Sequence, residues 1–325
     1  MRRREVITLL GGATVWPAAV SAQQPARPMI GYLSSLTQTD SVHFDAAFRR
    51  GLSDLGYAEG QSVSVEYRWI TDRYDPLPAM AADLIQRQVA VICAFGPPAV
   101  LAAKAATASI PIVFVTGADP IRFGFIESFS RPGRNLTGVW LVAPSLAQKR
   151  LELLREMVPR AALIALLVNP TSPVAAPQVR DTETAANALG LKVSVINAVT
   201  EADFDQVFAA LIEQRVDALL VSADPFFSSR REQLATRAAR HAIPTLYEWR
   251  EFVEVGGLMS YGVVVRDGYY KGGVYAARVL RGANPAELPV EQLNKIELVI
   301  NLKIAKALGI EVPLSLLIRA DALLE

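Results

Sequence analysis

Residues 89–116 read VAVICAFGPPAVLAAKAATASIPIVFVT. Two continuous apolar runs, at 89–95 and 111–116, flank an alanine-rich segment with helical spacing. Continuous apolar runs of this length are typical of strands that are buried on both faces, as in a parallel sheet. Two parallel strands need a long crossover between them, and the middle segment is long enough to supply it as a helix. The stretch therefore predicts one βαβ unit of an α/β fold.

The same alternation continues on both sides of this unit, where short apolar runs are separated by helical patterns. The predicted strands lie at 29–34 and 62–69 before the unit, and at 162–169, 192–197, 216–222 and 243–248 after it. Residues 87–92 and 214–219 both run from a polar helix end into a buried strand, and an Ile-Pro pair follows in each half, at 110–111 and 243–244. A chain of 325 residues is long enough for two domains of about 150 residues each. We therefore predict two similarly folded lobes.

The N-terminal stretch MRRREVITLLGGATVWPAAVSAQQ combines a positive start, an apolar run and small residues before Gln23. This order is typical of a secretory signal peptide, here residues 1–22, rather than of a cytosolic first helix. The arginine pair before Val6 also resembles a twin-arginine export signal, although Val6 stands where that pattern usually has Phe. No Cys follows the apolar run, so no direct membrane anchor is expected. We predict a periplasmic protein, exported by the twin-arginine or the general route.

The composition argues against several classes of function. The chain carries 33 Lys and Arg against 32 Asp and Glu, and it stays nearly neutral without residues 1–22, so no nucleic-acid partner is expected. Only two His and one Cys are present, so neither a metal site nor a disulfide is expected. The single Cys93 lies in an apolar strand pattern and fits a core position. The sequence indicates no cofactor.

Motifs that are typical of enzymes are missing. The sequence contains no P-loop, no G-x-G-x-x-G after a strand and no G-x-S-x-G nucleophile elbow. Acidic residues are common, but no spacing forces two carboxylates together. No catalytic residue is predicted, and we expect that the protein is not an enzyme.

Ligands of open parallel sheets bind at the carboxyl ends of the strands, where loops meet helix N-termini. The candidate ligand-binding residues are those that follow the predicted strands. They are Ser34, Ser35, Gly96, Pro97, Thr116, Asp119, Pro120, Asn169, Asp224, Phe226, Tyr247, Glu248 and, from a later segment, Tyr261.

These residue types suit a small zwitterion. The hydroxyls of Ser34, Ser35 and Thr116, with helix N-termini, can hold a carboxylate. Asp224 or Glu248 can accept hydrogen bonds from an ammonium group. An apolar or aromatic ligand body can contact aromatic side chains, for which the candidates are Phe123, Phe226, Tyr247 and Trp249.

Each of these assignments has a structural alternative. Ser34 and Ser35 can simply cap the next helix. The Asp-Pro pairs at 119–120 and 224–225 are also common in ordinary turns. Trp249 and Phe123 can be core residues. What favours the ligand site is that all of these residues are predicted at the same ends of the strands.

Several motifs resemble the periplasmic substrate-binding components of ABC transporters, in particular the subgroup that includes tryptophan-binding members. The motifs are MIGYLSS (29–35), FVTGADPI (114–121), NLTGV (135–139) and ELVINLKIAKALGI (297–310). The resemblance implies the type I periplasmic-binding fold, with two Rossmann-like lobes, parallel sheets, three crossover strands and a ligand in the cleft. It also implies a protein that captures a small ligand, an amino acid or a small organic acid, and delivers it to a membrane permease.

Lobe boundaries follow from this resemblance. The first lobe is expected at 29–118 plus about 262–295, and the second at 142–257 plus about 302–325. The crossovers are expected at about 135–140, 256–262 and 297–301. Three other functions are alternatives: a secreted α/β enzyme, a ligand sensor for a membrane receptor, and a sugar-type transcriptional repressor of the same fold. A signal peptide stands where a repressor needs its helix-turn-helix, which argues against the last of these.

Overall fold

The βαβ unit predicted at 89–116 is present as β3 (Val91–Phe95), α3 (Pro97–Ala106) and β4 (Ile112–Thr116). The computed structural model describes residues 27–142 and 146–325, so the predicted signal peptide at 1–22 lies outside the described residues. Strands β3 and β4 pair in parallel. Gly96 precedes α3 with a φ of 87°, a conformation that side chains disfavour. Pro97 then begins the helix, where a missing N–H leaves no hydrogen bond unmade.

The unit belongs to the first of two sheets, in which every described pair of neighbouring strands is parallel. Its order is β11-β5-β4-β3-β1-β2. The other strands of this sheet are β1 (Met29–Ser34), β2 (Ser64–Trp69), β5 (Leu136–Leu141) and β11 (Glu291–Leu293).

Helices accompany this sheet and bury its apolar strands. They are α1 (Gln38–Ser53), α2 (Leu77–Gln86), α3 and a late helix, α10 (Val265–Leu280). Helices α1 and α10 approach each other closely. A Cβ added at Gly51 would lie 2.0 Å from the carbonyl oxygen of Tyr270, and one at Gly273 would lie 2.1 Å from that of Phe48. These two glycines therefore permit backbone contact between the helices.

The second sheet has the order β13-β12-β10-β9-β8-β6-β7. Its described pairs are parallel except for β10 and β12, which are antiparallel. The strands are β6 (Leu163–Val168), β7 (Lys192–Asn197), β8 (Ala218–Val221), β9 (Thr245–Tyr247), β10 (Met259–Val263), β12 (Ile296–Asn301) and β13 (Ala322–Leu324). Strand β13 has no counterpart among the strands predicted from the sequence.

The helices of the second lobe follow the same alternation. They are α4 (Ala147–Met157), α5 (Ala175–Leu189), α6 (Asp203–Glu213), α7 (Pro225–Ser229), α8 (Arg231–Arg240), α9 (Arg250–Glu254), α11 (Leu302–Ala307) and α12 (Leu314–Arg319). Within the described residues, none of the helices is long and apolar enough to cross a membrane.

The chain passes between the lobes beside β5, β10 and β12. Strand β5 belongs to the first sheet and precedes α4 of the second lobe, β10 of the second sheet leads into α10, and β11 of the first sheet leads into β12. The prediction of an α/β fold with two lobes and parallel sheets is confirmed. The lobe boundaries predicted at single residues stay predictions, and the predicted crossover ranges overlap strands that pair within a sheet.

Each lobe has its own hydrophobic core on the faces of its sheet. Cys93 is fully buried in the first of these cores, as predicted. Tyr74 and Trp249 pack against clusters of both lobes. These two side chains therefore lie where the lobes meet, at the edge of the site described next.

Candidate functional site

A cavity of about 430 Å³ lies between the two lobes. The chain segments that directly follow β3, β4, β8 and β9 contribute to its wall. The volume falls within the range of about 300–1,000 Å³ that small-molecule sites occupy. The carboxyl ends of parallel strands in both sheets thus meet at one candidate binding site.

Five of the residues that were predicted from strand ends line this cavity. They are Gly96, Pro97, Asp119, Asp224 and Glu248. Phe123 and Trp249 line it as well.

The three predicted hydroxyls lie outside the cavity lining and are fully buried. Each accepts a hydrogen bond from a nearby backbone N–H: Ser34 from Leu36 at 3.1 Å, Ser35 from Ala99 at 3.0 Å and Thr116 from Ala118 at 3.1 Å. These contacts form local turns and a helix cap, which is the structural alternative for these residues.

The other predicted residues also lie outside the lining. Phe226 and Tyr247 are buried in the hydrophobic core of the second lobe. Pro120 lies in a turn, where its carbonyl accepts a hydrogen bond. Asn169 and Tyr261 contact charged side chains of the cavity wall. Each is separated from the cavity by the charged side chain that it contacts.

The Asp224 carboxylate is held by donors on one side only. Its Oδ1 atom accepts hydrogen bonds from the Tyr74 hydroxyl at 2.7 Å, from Asn169 Nδ2 at 3.1 Å and from the backbone N–H of Phe226 at 2.9 Å. Its Oδ2 atom is buried and has no partner in the described protein. Three donors on one oxygen suit an ionised carboxylate, which only accepts. They leave Oδ2 available to a ligand.

Asp224 is a buried acid without a cation. The side chain is 3% exposed, and the ion pairs of the described residues do not include it. Burial raises the pKa of Asp224, while the side chains of Ser172, Tyr74 and Asn169 and the backbone N–H of Phe226 act to lower it. A buried carboxylate without a countercharge is unfavourable. The cavity therefore favours a ligand that brings a positive group.

Glu248, by contrast, has its cation. Nη2 of Arg150 donates to Oε1 of Glu248 at 2.8 Å, and both side chains are buried. Oε2 of Glu248 has no hydrogen-bond partner. Burial raises the pKa of Glu248, and the Arg150 guanidinium opposes that rise. The Arg150–Glu248 pair therefore leaves Oε2 of Glu248 as an acceptor without a hydrogen-bond partner at the cavity wall, but it adds no net charge there.

Aromatic rings of the first lobe form an apolar wall opposite these charges. Tyr269 stacks on Phe44, with ring centroids 4.7 Å apart and planes at 17°, and on Phe95, at 4.4 Å and 11°. All three rings line the cavity, and Trp249 lines it from the second lobe. Such surfaces suit a flat aromatic or apolar body.

Two ion pairs connect the lobes around the cavity, Arg230 with Asp72 and Arg231 with Asp40. His43 of the first lobe also lies 3.9 Å from Glu251 of the second. Together with the hydrogen bond from Tyr74 to Asp224, these contacts indicate that the two lobes are closed around the cavity.

Several residues of the site were missed by the sequence analysis. Phe44, Arg150 and Tyr269 lie on helices, and Tyr74 lies in a loop before a helix. The strand-end rule selects only loops after strands, so it could not find them. In the described ranges 27–142 and 146–325, no three His, Cys, Asp or Glu side chains are grouped as a metal site requires.

Comparison with known proteins relates the chain to a transport family. The family described as ABC transporter substrate binding protein matches residues 40–324. The tyrosine-binding protein of Clostridioides difficile strain R20291 is 26% identical over 265 residues, which cover 81% of this chain and 76% of that protein.

Solved structures extend this similarity. The structure of an ABC domain in complex with L-Trp from Streptococcus pneumonia is 26% identical, with a TM-score of 0.83, and the match covers 92% of this chain and 100% of that one. A conserved domain protein from Vibrio cholerae O1 biovar El Tor shares the fold with a TM-score of 0.85 at 24% identity, over 91% of this chain and 99% of that one.

Proposed function

Because the chain belongs to the ABC transporter substrate-binding protein family, we propose that it captures an aromatic amino acid between its two lobes. Family membership confirms the predictions of a substrate-binding component and of a protein that is not an enzyme. As such a component, the protein works outside the cytoplasm. The identity of the ligand is the proposal developed here.

The observation that carries the proposal is the uncompensated carboxylate of Asp224. Its Oδ2 atom is buried and accepts no hydrogen bond within the described protein, although the Ser172 hydroxyl lies near enough to lower the pKa of this carboxyl. Asp224 also lines the cavity. An ammonium group of the ligand would supply both the missing donors and the missing charge. A ligand without a positive group would leave this carboxylate buried and unpaired.

The stacked rings of Phe44, Phe95 and Tyr269 support an aromatic body for the ligand. They form a continuous surface on the first lobe, while Asp224 lies on the second. A molecule that carries an ammonium group and an aromatic ring can therefore contact both walls at once. Two similar proteins bear names with this chemistry, a tyrosine-binding protein and a domain in complex with L-Trp.

The test is isothermal titration calorimetry with L-tryptophan, L-tyrosine and L-phenylalanine, with L-leucine as the apolar comparison. A hydrogen bond to a charged group contributes roughly 1.5–3 kcal/mol. Asp224→Ala should therefore weaken binding of the preferred amino acid by about tenfold to a hundredfold. The control is Asp203→Ala, which removes a carboxylate that accepts from the backbone N–H groups of Val199 and Thr200, before α6 and away from the cavity.

The proposal fails if the parent protein binds none of the three aromatic amino acids. The role of Asp224 fails if Asp224→Ala and Asp203→Ala bind the same ligand equally well.

The proposed partner is the membrane permease of an ABC transporter, and the proposed compartment is the periplasm. Residues 1–22 support export, since they have the layout of a signal peptide. N-terminal sequencing of the exported protein should begin at Gln23. Replacement of Arg3 and Arg4 by Lys should block export only if the twin-arginine route is used. An exported protein that begins at Met1 would contradict the cleavage.

A further inference from the structure

Tyr74 makes a polar contact between the lobes at the proposed binding site. It lies between β2 and α2 of the first lobe. Its hydroxyl donates to Oδ1 of Asp224 at 2.7 Å and accepts from the backbone N–H of Phe226 at 3.0 Å. Both partners belong to the second lobe, where Phe226 starts helix α7 with Asp224 as its cap.

The ring of Tyr74 fixes the position of this hydroxyl. It packs against a hydrophobic cluster of the first lobe and against another of the second lobe. A phenol has only two side-chain torsions, so packing on both sides of the ring leaves the hydroxyl little freedom. The contact with the second lobe exists only while the lobes are together, so the hydroxyl is fully held in place only in that state.

The donors to Asp224 have different origins. Asn169 and Phe226 come from the second lobe and remain beside Asp224 in any arrangement of the lobes. The same holds for the Ser172 hydroxyl, which also lowers the pKa of Asp224. Tyr74 comes from the first lobe. When all three donors hold Oδ1, the carboxylate has a single orientation and Oδ2 is the oxygen left without a partner. Separation of the lobes removes one of the three donors and loosens that orientation.

We propose that Tyr74 is a positioning residue that orients the Asp224 carboxylate toward the ligand's ammonium group when the lobes close. Recognition of the amine is thereby coupled to closure, because the oriented carboxylate exists only in the closed protein. Tyr74 does not line the cavity and acts on the ligand through Asp224. This proposal rests on the proposed binding of an aromatic amino acid.

A role in positioning differs from a role in holding the lobes together. If Tyr74 only stabilised closure, its loss would weaken every ligand by the same factor. If it orients Asp224, its loss weakens ligands with an amine and leaves those without one nearly unchanged. L-tryptophan and indole-3-propionate form the matching pair, since they share the ring and the carboxylate and differ in the amine.

The experiment measures both ligands on the parent protein and on Tyr74→Phe, which keeps the ring and removes the hydroxyl. L-tryptophan is followed by calorimetry and the weaker indole-3-propionate by NMR titration. We expect the affinity of Tyr74→Phe for L-tryptophan to fall by about tenfold or more, and that for indole-3-propionate to change by less than about threefold. The matched control is Tyr67→Phe, which removes a hydroxyl bonded to Glu59 at 3.0 Å, away from the cavity.

A double-mutant cycle with Asp224→Ala provides a second measurement. In the Asp224→Ala background, Tyr74→Phe should change the affinity for L-tryptophan by less than about threefold, because the carboxylate that it orients is gone. Additive effects, or equal weakening of both ligands by Tyr74→Phe, would overturn the positioning role. If Tyr74→Phe binds L-tryptophan like the parent, only this role is wrong. If the parent binds none of the three aromatic amino acids, the proposed function and this inference fall together. If it prefers L-tyrosine or L-phenylalanine, the same comparison is made with that amino acid and its analogue without the amine.

Discussion

The guanidinium of Arg150 contacts Glu248 through Nη2 and the carbonyl oxygen of Tyr261 through Nε, both at 2.8 Å. One side chain of α4 thereby joins the end of β9 to the middle of β10. Arg150 and Glu248 are only 9% and 2% exposed as side chains. The pair therefore supports the structure of the cavity wall and also lines the cavity.

Removal of Arg150 should strongly destabilise the protein. Arg150→Met leaves the Glu248 carboxylate buried without its cation, a change that typically costs about 3–5 kcal/mol. The free energy of unfolding is measured by urea denaturation. Lys149→Met is the control, since Lys149 pairs with Glu152 at the surface and its loss should cost about 1 kcal/mol or less. Equal losses in the two variants would contradict the importance of the buried pair.

A side chain at Gly96 should impair both stability and binding. A Cβ there would lie 3.0 Å from Ser35 and 3.4 Å from Pro225 of the other lobe, and the backbone has a positive φ. Gly60 has a similar positive φ with open space around it. Gly60→Ala should therefore show only the conformational strain, roughly 1–2 kcal/mol. Gly96→Ala should lower the thermal stability by more than Gly60→Ala does, and it should also bind ligand more weakly. A Gly96→Ala variant with the parent's affinity would contradict crowding between the lobes.

The ion pair of Arg230 with Asp72 should make a small, salt-dependent contribution to binding. It crosses between the lobes, so its loss disfavours the closed state. Exposed pairs contribute about 0–1 kcal/mol, so Asp72→Asn should weaken ligand binding by up to about fivefold. The difference should shrink at high salt. Asp75→Asn is the control, because Asp75 pairs with Arg73 in the same loop. If Asp75→Asn weakens ligand binding as much as Asp72→Asn does, the effect comes from the loop as a whole and not from the ion pair.

Glu251 should make stability fall as the pH rises toward neutrality. Burial raises its pKa from the usual 4.5 to about 7; Glu254 and Glu297 add to the rise, and Arg231 opposes it. Between these two values the folded protein holds a proton that the unfolded chain releases, so stability declines with rising pH, by at most about 1.4 kcal/mol per pH unit. His43, 3.9 Å from Glu251, acts in the opposite sense below about pH 6.5, since burial lowers its pKa.

Urea denaturation of the parent and of Glu251→Gln between pH 4.5 and 8 isolates this contribution. The stability of the parent relative to the variant should decrease from pH 4.5 to about 7 and then level off. Glu213→Gln, at an exposed position, should follow the parent at every pH. A constant difference between the parent and Glu251→Gln would show that Glu251 does not bind its proton in this range.

The fold could be predicted because buried parallel strands leave a strong apolar signal. The runs at 89–95 and 111–116 correspond to β3 and β4 within two residues. The short β13 (Ala322–Leu324) could not be found, since three half-exposed residues carry no periodicity and pair only because β12 lies beside them.

The candidate site was less predictable, for a physical reason. A hydroxyl or carboxylate at a strand end is equally suited to a backbone N–H and to a ligand. Ser35 and Asp224 fit the same rule, yet Ser35 caps α3 through its hydroxyl, while Asp224 keeps one oxygen without a partner. Tyr74 carries no signal at all, because its role depends on a residue 150 positions later in the chain. Such pairings arise only when the two lobes come together.

Cys93 has a practical consequence beyond the core in which it packs. It is the chain's sole cysteine, it is fully buried, and burial raises the pKa of its thiol. Thiol reagents therefore find no reactive partner in the folded protein. A cysteine introduced by Asp75→Cys, in the exposed loop beside Tyr74, would be the one site that a fluorescent dye could label. Because no native cysteine has to be removed first, the protein is suited to conversion into an optical sensor that reports the closure of its lobes.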